Sequence, residues 1–426
     1  MADNKDITGS RDVLVIGGGA AGMMTAIIAA RRGLKVALAE KNDKLGKKLY
    51  ITGKGRCNIT NDCDTETLIN SLVVNNKFMY GAFKEFSSSD TIAFFEGLGV
   101  RTKTERGNRV FPVSDKSSDV IRALEKEMRC LGVDIRLSSE VKDICTEPGD
   151  GEMVCTGAVL SSGEKIPAGR TVVATGGISY RSTGSTGDGY RFAEAAGHSV
   201  SPLYPSLAPL NIKESFAADM QGLSLKNAGL TVRNADSRKV LYSGFGELLF
   251  THFGVSGPLV LSAESFIVEK TGKTGIELSI DFKPALDEKK LDIRLIRELE
   301  KSPGKSYANV LKTLLPAKAI PVFISRLGAD PAMRACEVDS AMRGKLRRLL
   351  KDFGLTVTGT RGFNEAIITR GGVCVKEINP KTFESKKVKG LFFTGEVLDL
   401  DAVTGGFNLQ IAWSSAYRCA SGMDID

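Results

Sequence analysis

The sequence predicts an α/β chain in which a domain built on βαβ units is split by a β-rich insert, and the insert carries a small helical segment of its own. Three observations carry this expectation. Residues 13–40 run apolar strand, glycine turn, helix, apolar strand; apolar runs ending in glycine loops recur at 171–177 and 391–406; and beyond Pro202 the patterning turns β-type, then helical and basic.

Val13-Leu14-Val15-Ile16 is a short continuous apolar run, as suits a strand covered on both faces, and Gly17-Gly18-Gly19-Ala20-Ala21-Gly22 ends it. Met23 to Arg32 reads as a helix of small and apolar residues closed by Gly33, and Leu34 to Ala39 as a second strand stopping at Glu40. A Gly/Lys-rich polar loop fills 41–61. Mixed helices fill 62–140, for example Asp119 to Leu131 with apolar Val120, Ile121, Leu124 and Met128. Alternating strands dominate 140–175, and the loop GGISYRSTGSTGDGY spans 176–190. Residues 202–282 show β-type patterning punctuated by Pro and Gly, 285–352 are helical, and 355–378 return to strands. The chain closes with the strand Leu391-Phe392-Phe393-Thr394, the loop Thr404-Gly405-Gly406-Phe407-Asn408 and an amphipathic helix from about Leu409 to Ala420. The expected domains are 1–200 with 370–426, a β-rich insert at 201–282 with 353–369 that shapes a substrate pocket, and a helical subdomain at 283–352.

With 426 residues, 42% hydrophobic and 25% charged, the chain is long enough for two or three domains, and a disordered, collagen-like or coiled-coil chain is excluded. The net charge of +8 sits in one place: residues 283–351 hold 16 Lys and Arg against 8 Asp and Glu, so the remainder is neutral. Arg343, Lys345, Arg347, Arg348 and Lys351 spread around a helix instead of forming a stripe, with few aromatics between them. A solvated surface is expected there, and a nucleic-acid partner is not. Eight Cys without a C-x-x-C pair, and only His198 and His252, predict reduced thiols in a cytoplasmic setting and no metal centre. Val13 to Ala30 is uncharged over eighteen residues, yet its central glycines and mixed-charge flank read as strand, loop and helix, not as a membrane span.

The spacing Gly17-x-Gly19-x-x-Gly22 gains meaning from its setting, after an apolar strand, at the start of a helix, and 18 residues before an acid at the end of the next strand. Gly17 permits the tight turn, Gly19 lets the backbone approach a pyrophosphate, and Gly22 lets helix pack on strand. The pyrophosphate then meets free N–H groups at the helix N-terminus. Glu40 would accept hydrogen bonds from the adenosine ribose and repel a 2′-phosphate. NAD and FAD both satisfy this fingerprint. The further glycine loops at Thr52-Gly53-Lys54-Gly55-Arg56-Cys57-Asn58, Ala174-Thr175-Gly176-Gly177 and Gly395-Glu396 with 404–408 suit a longer ligand lying across the sheet, and FAD fits.

Those loops, together with 362–372 (GFNEAIITRGG) and 394–416 (TGEVLDLDAVTGGFNLQIAWSSA), make the chain resemble the BaiN-like or aminoacetone oxidase-like family of FAD-dependent oxidoreductases, with Ala416 where Gly is more usual. The resemblance implies a Rossmann-like FAD-binding domain of glutathione reductase-like topology. It also implies roles for individual residues. Gly17, Gly19, Ala20, Ala21 and Gly22 would hold pyrophosphate, and Glu40 with Lys41 the adenosine side. Arg56, Cys57 and Asn58 would lie beside the flavin, near the turn Ala174-Thr175-Gly176. Gly395 and Glu396 would meet the ribityl and phosphate region, and Gly406, Phe407, Asn408 and Leu409 the pyrimidine edge. A helix starting near Asn408 would there stabilise the negative charge of reduced flavin.

Cys57 is either a redox thiol or a small packing residue, and without a C-x-x-C partner a disulfide-reductase mechanism is disfavoured. His252 and Tyr180 are the other candidates for chemistry, neither assigned as a proton donor. No second strand–GxGxxG–helix unit exists for a nicotinamide, so NAD(P)H, if used, binds transiently against the flavin. The expected function is NAD(P)H-dependent reduction of conjugated C=C bonds in a small molecule such as a 3-oxo-Δ4,6 steroid or bile acid intermediate. Amine or aminoketone oxidation and a nucleic-acid-binding flavoprotein are the alternatives.

Overall fold

Five short parallel strands form the centre of the larger part of the molecule: β1 (Arg11–Ile16), β2 (Val36–Ala39), β3 (Asp134–Arg136), β4 (Lys165–Val173) and β5 (Leu391–Phe393), ordered β5-β4-β1-β2-β3. The computed structural model describes residues 11–424. Its chain divides into two units, Met1–Tyr204 with Ile367–Asp426 and Pro205–Ala366.

In the first unit, Val13, Leu14 and Val15 have no exposed surface, as a strand covered on both faces requires. The registers align Ile16 with both Ala39 and Val173, and Phe393 with Val173. Four chains therefore leave the sheet at one level, as Gly17, Glu40, Ala174 and Thr394. Main-chain bonds continue past the strands, from Gly17 N–H to Ala39 O (2.8 Å), Ala174 N–H to Ile16 O (2.9 Å) and Thr394 N–H to Val173 O (3.1 Å). Helix α1 (Ala20–Arg31) is buried nearly all round, with Met23, Met24, Ala26 and Ile27 fully enclosed. Helix α2 (Phe407–Ser421) closes the layer, its buried Trp413 donating Nε1–H to Ile59 O at 2.9 Å. The first residues of β4 pair antiparallel with Met153–Leu160, which pairs in turn with Val141–Pro148. The stretch expected to be mixed helices also holds a small antiparallel sheet of Thr60–Asn61, Thr102–Glu105 and Arg109–Pro112. Those strands are too short and polar to show a period.

The second unit is a closed antiparallel barrel ordered Leu210–Ile212, Gly254–Ser256, Val240–Thr251, Ser224–Asn234, Ile276–Asp281, Phe353–Thr360. Alternation builds it. Ile276, Leu278 and Ile280 point into the core while Glu277 and Ser279 between them do not. The helices Glu288–Glu300, Ile320–Leu327 and Ser340–Lys351 put Leu291, Leu295, Phe323, Leu346 and Leu350 into the same apolar cluster as the barrel residues Ile280, Phe353 and Leu355. Among the described residues, no helix is long and apolar enough to cross a membrane.

Candidate cofactor site

The three fingerprint glycines answer to three different constraints. Gly17 has φ of +105° and a Cβ there would lie 2.7 Å from Ala174 O, so only glycine makes the turn. A Cβ on Gly22 would lie 1.8 Å from Gly17 O, which fixes the close approach of helix to strand. A Cβ on Gly19 would meet nothing within 4 Å. Gly19 borders open space at the mouth of α1, which no side chain caps. The N–H groups of Ala20, Ala21 and Gly22 thus have no intrahelical acceptor and face a position that favours an anion.

Glu40 is 7% exposed. One carboxylate oxygen accepts Gly18 N–H at 2.7 Å; the other accepts Asn42 N–H at 2.8 Å and Asn42 Nδ2–H at 2.6 Å. The protein thus orients this acid while lone pairs remain for hydroxyl donors. Lys41 is placed differently from the expectation of an adenosine contact. Its Nζ pairs with Asp188 at 2.6 Å and with Thr186, so its charge is spent on closing the 183–188 loop over the end of β2. Asn42 and Asp188 were not singled out from the sequence; the glycine-rich GSTGDGY run was the signal for Asp188, and Asn42 had only its place in the polar loop after Glu40.

Farther along the edge, Gly395 has φ of +74° and a Cβ there would lie 2.8 Å from Ala21 Cβ, so this loop packs on α1. Gly395 N–H donates to Ser415 Oγ at 3.0 Å. The Glu396 carboxylate receives Lys48 Nζ at 2.8 and 2.7 Å and Thr369 N–H at 2.9 Å. Gly406 has φ of +102°, and a Cβ there would lie 2.4 Å from Thr60 O. Gly406 is the N-cap of α2 and brings no side-chain acceptor to it. Asn408 does not supply one either: its amide turns back, Oδ1 accepting Ala402 N–H at 3.0 Å and Nδ2 donating to Ala402 O at 2.7 Å. Phe407 is buried and Leu409 half-buried.

In the 52–58 loop, Gly53, Lys54, Gly55 and Cys57 all have positive φ, between 58° and 81°. Arg56 stacks on Phe111, with Cζ 4.1 Å from the ring centroid, and pairs with Glu105 and Asp115, its Nε 2.8 Å from Asp115 Oδ1. Its charge is therefore matched within the protein. Cys57 has no exposed surface, and burial pushes its thiol up to about 12, only partly opposed by a hydrogen bond with Thr52. It is a neutral packing thiol. The buried Asn58 Oδ1, Thr175 Oγ1 and Thr394 Oγ1 have no hydrogen-bond partner among the described residues. Gly176 has φ of +71°. Open space at Gly19, two uncapped helix N-termini and unsatisfied polar atoms along one sheet edge fit a long ligand with phosphates in its middle and polar rings at its ends.

The remaining candidates are Tyr180 and His252. Tyr180 adopts φ of +52°, its carbonyl accepting Thr183 N–H at 2.8 Å and Oγ1–H at 2.7 Å. His252 belongs to the second unit, exposed on the turn after Val240–Thr251, its ring edge-on to Phe253 at 5.0 Å.

A parallel sheet with this turn and this edge defines a dinucleotide-binding flavoprotein of the Rossmann type. The chain belongs to the HI0933-like family: the family model of the HI0933-like protein Rossmann domain matches residues 11–422. It is 33% identical over 410 residues to a 3-dehydro-bile acid delta(4,6)-reductase of Clostridium scindens, covering 95% of this chain and 96% of the other. A ribosomal RNA dihydrouridine synthase of Escherichia coli is 31% identical over 413 residues, covering 97% and 98%. Among solved structures, the 3-ketosteroid delta1-dehydrogenase from Sterolibacterium denitrificans shares the fold at 13% identity with a TM-score of 0.54, covering 97% of this chain and 99% of that one. The protein is an FAD-dependent oxidoreductase.

Proposed function

We propose that the protein reduces a C=C bond conjugated to a carbonyl, with NAD(P)H as electron donor. The observation that carries this reading is the bare N-terminus of α2, where neither Gly406 nor Asn408 offers an acceptor. Its N–H groups and dipole suit the negative charge of a reduced flavin pyrimidine ring. The relatives support the bond type. A 3-oxo-Δ4,6 steroid and a uracil ring differ in every respect except a C=C bond in conjugation with C=O, and their names attach to proteins about equally similar to this chain.

FAD, when bound, supplies a two-electron carrier between NAD(P)H and the β-carbon of such a bond. The residues of this chain do the holding. Ala20, Ala21 and Gly22 take the pyrophosphate, Glu40 the adenosine ribose, Gly395 and the Lys48-neutralised Glu396 the ribityl region, and Gly406 to Leu409 with Asn58 the pyrimidine end. A protein group or water delivers the proton to the α-carbon.

A small steroid-like enone is the substrate class we favour. A uracil base within RNA is the second reading, favoured by the +8 charge of residues 283–351. Anaerobic stopped-flow tests the enone reading. NAD(P)H should bleach the flavin absorbance, and a 3-oxo-Δ4 or Δ4,6 steroid should restore it. Bleaching by amines alone, with none by NAD(P)H, would replace the reductase with an oxidase.

A further inference from the structure

Arg370 and Asp401 form an ion pair shut away from solvent, with side-chain exposures of 6% and 0%. Arg370 Nε lies 3.3 and 3.2 Å from the two carboxylate oxygens and Nη2 lies 2.8 Å from one of them. Desolvating two charges is costly, and apolar side chains of similar volume hold segments together as well or better. What the paired fork adds is a single geometry.

Both partners are tied to elements of the cofactor site. Thr369, beside Arg370, accepts the N–H of Ile178 (2.9 Å) and Ser179 (3.2 Å) on its hydroxyl and donates its own N–H to Glu396. Asp401 opens the loop that ends at Gly406. Its carbonyl accepts Val73 N–H at 2.9 Å, Val403 N–H donates to Ser71 O at 3.0 Å, and Asn61 Nδ2 donates to Gly405 O at 3.0 Å. Asn408 grips Ala402 from the other side. The loop is thus anchored along its length, and the first-turn N–H groups of α2 that follow it have no intrahelical acceptor. The ion pair joins this loop to the Glu396 loop and to the turn after β4.

We propose that Arg370 and Asp401 are a positioning pair that fixes the bare N-terminus of α2 against the flavin end of FAD and thereby sets the preference of the site for reduced over oxidised cofactor. This rests on the placement of the pyrimidine edge at Gly406 to Leu409. Neither residue touches FAD; both act through the loop.

The test is the double variant Arg370→Met/Asp401→Leu, which removes the pair without stranding a charge. Its melting temperature should stay within about 4 °C of the wild type. Its midpoint potential should fall by about 30 mV, the equivalent of a tenfold loss of preference for reduced FAD in a two-electron couple. Val120→Ala, a cavity in the fully buried face of Ser117–Cys130, serves as control and should lower stability without moving the potential. A double variant with the wild-type potential overturns the proposal. A double variant that fails to fold assigns the pair to stability and overturns it equally. Wild-type protein that takes up FAD but shows the same potential as free FAD would instead sink the placement of the pyrimidine edge.

Discussion

Lys48 and Glu396, 348 residues apart in the chain, meet with Nζ 2.8 and 2.7 Å from the two carboxylate oxygens. Only about a fifth of each side chain is exposed. The pair joins the polar loop after β2 to the turn after β5 and, under the proposed placement of FAD, cancels a carboxylate at the ribityl and phosphate region. Lys48→Met should therefore weaken FAD binding roughly tenfold, about 1.4 kcal/mol. Lys48→Met/Glu396→Gln should recover most of that loss in a flavin fluorescence titration. If the double variant binds as poorly as the single one, charge cancellation is not what Lys48 contributes.

Gly19 and Gly22 should separate binding from folding. A Cβ at Gly22 strikes Gly17 O at 1.8 Å, so Gly22→Ala should cost about 1–3 kcal/mol of stability and abolish FAD uptake together. A Cβ at Gly19 meets nothing within 4 Å of the protein. Gly19→Ala should melt with the apoprotein of the wild type and yet lose FAD affinity. Equal FAD binding by Gly19→Ala and wild type would show that the pyrophosphate lies elsewhere.

The contrast between these positions and the ion pairs shows what the sequence could disclose. The glycines at 17, 19 and 22 and the acid at 40 were legible because their demands are local: a turn, a close contact and an open face are properties of a few consecutive residues. The family resemblance implied a ligand contact for Lys41, but its partner Asp188 is fixed by tertiary placement. Arg56 likewise meets Glu105 and Asp115 across a small sheet whose strands carry no period. Arg370 with Asp401 gave no signal at all, since nothing in either segment announces the other. The barrel strands were visible as alternation. Their closure was not, because Leu210–Ile212 pairs with Phe353–Thr360 over a long stretch of chain.

Cys57 supplies a pH-dependent test. Burial holds its thiol protonated up to about 12 in the folded state, against an ordinary value of 9.0. The folded pKa is raised, so its contribution to stability is complete below pH 9 and is lost as pH climbs towards 12. Over that window each pH unit should cost up to about 1.4 kcal/mol at this one site. Cys57→Ala should flatten the alkaline limb of the stability curve and leave NAD(P)H-driven flavin bleaching within about threefold of wild type, as a packing thiol requires. Rapid alkylation of native Cys57 at pH 8, or loss of flavin reduction in the alanine variant, would restore a redox role.

The basic helices separate the two substrate readings. Of the five cations in Ser340–Lys351, Arg343 lies 3.1 Å from Asp292, Arg347 lies 3.6 Å from both Glu288 and Asp292, and Lys351 lies 2.5 Å from Asp281. Lys345 and Arg348 are exposed on the same helix. Three of these five cations are thus matched by acids in the same unit. Lys345→Gln/Arg348→Gln should leave steroid enone turnover within twofold of wild type, because a neutral substrate gains nothing from exposed surface cations. Under the RNA reading the same variant should weaken RNA retention and reduce the slope of log K against log salt by about two, one for each phosphate that is no longer neutralised. A filter-binding salt titration beside the enone assay gives both answers on one preparation. Unchanged enone kinetics with no salt-dependent RNA binding is the outcome expected for a small-molecule reductase.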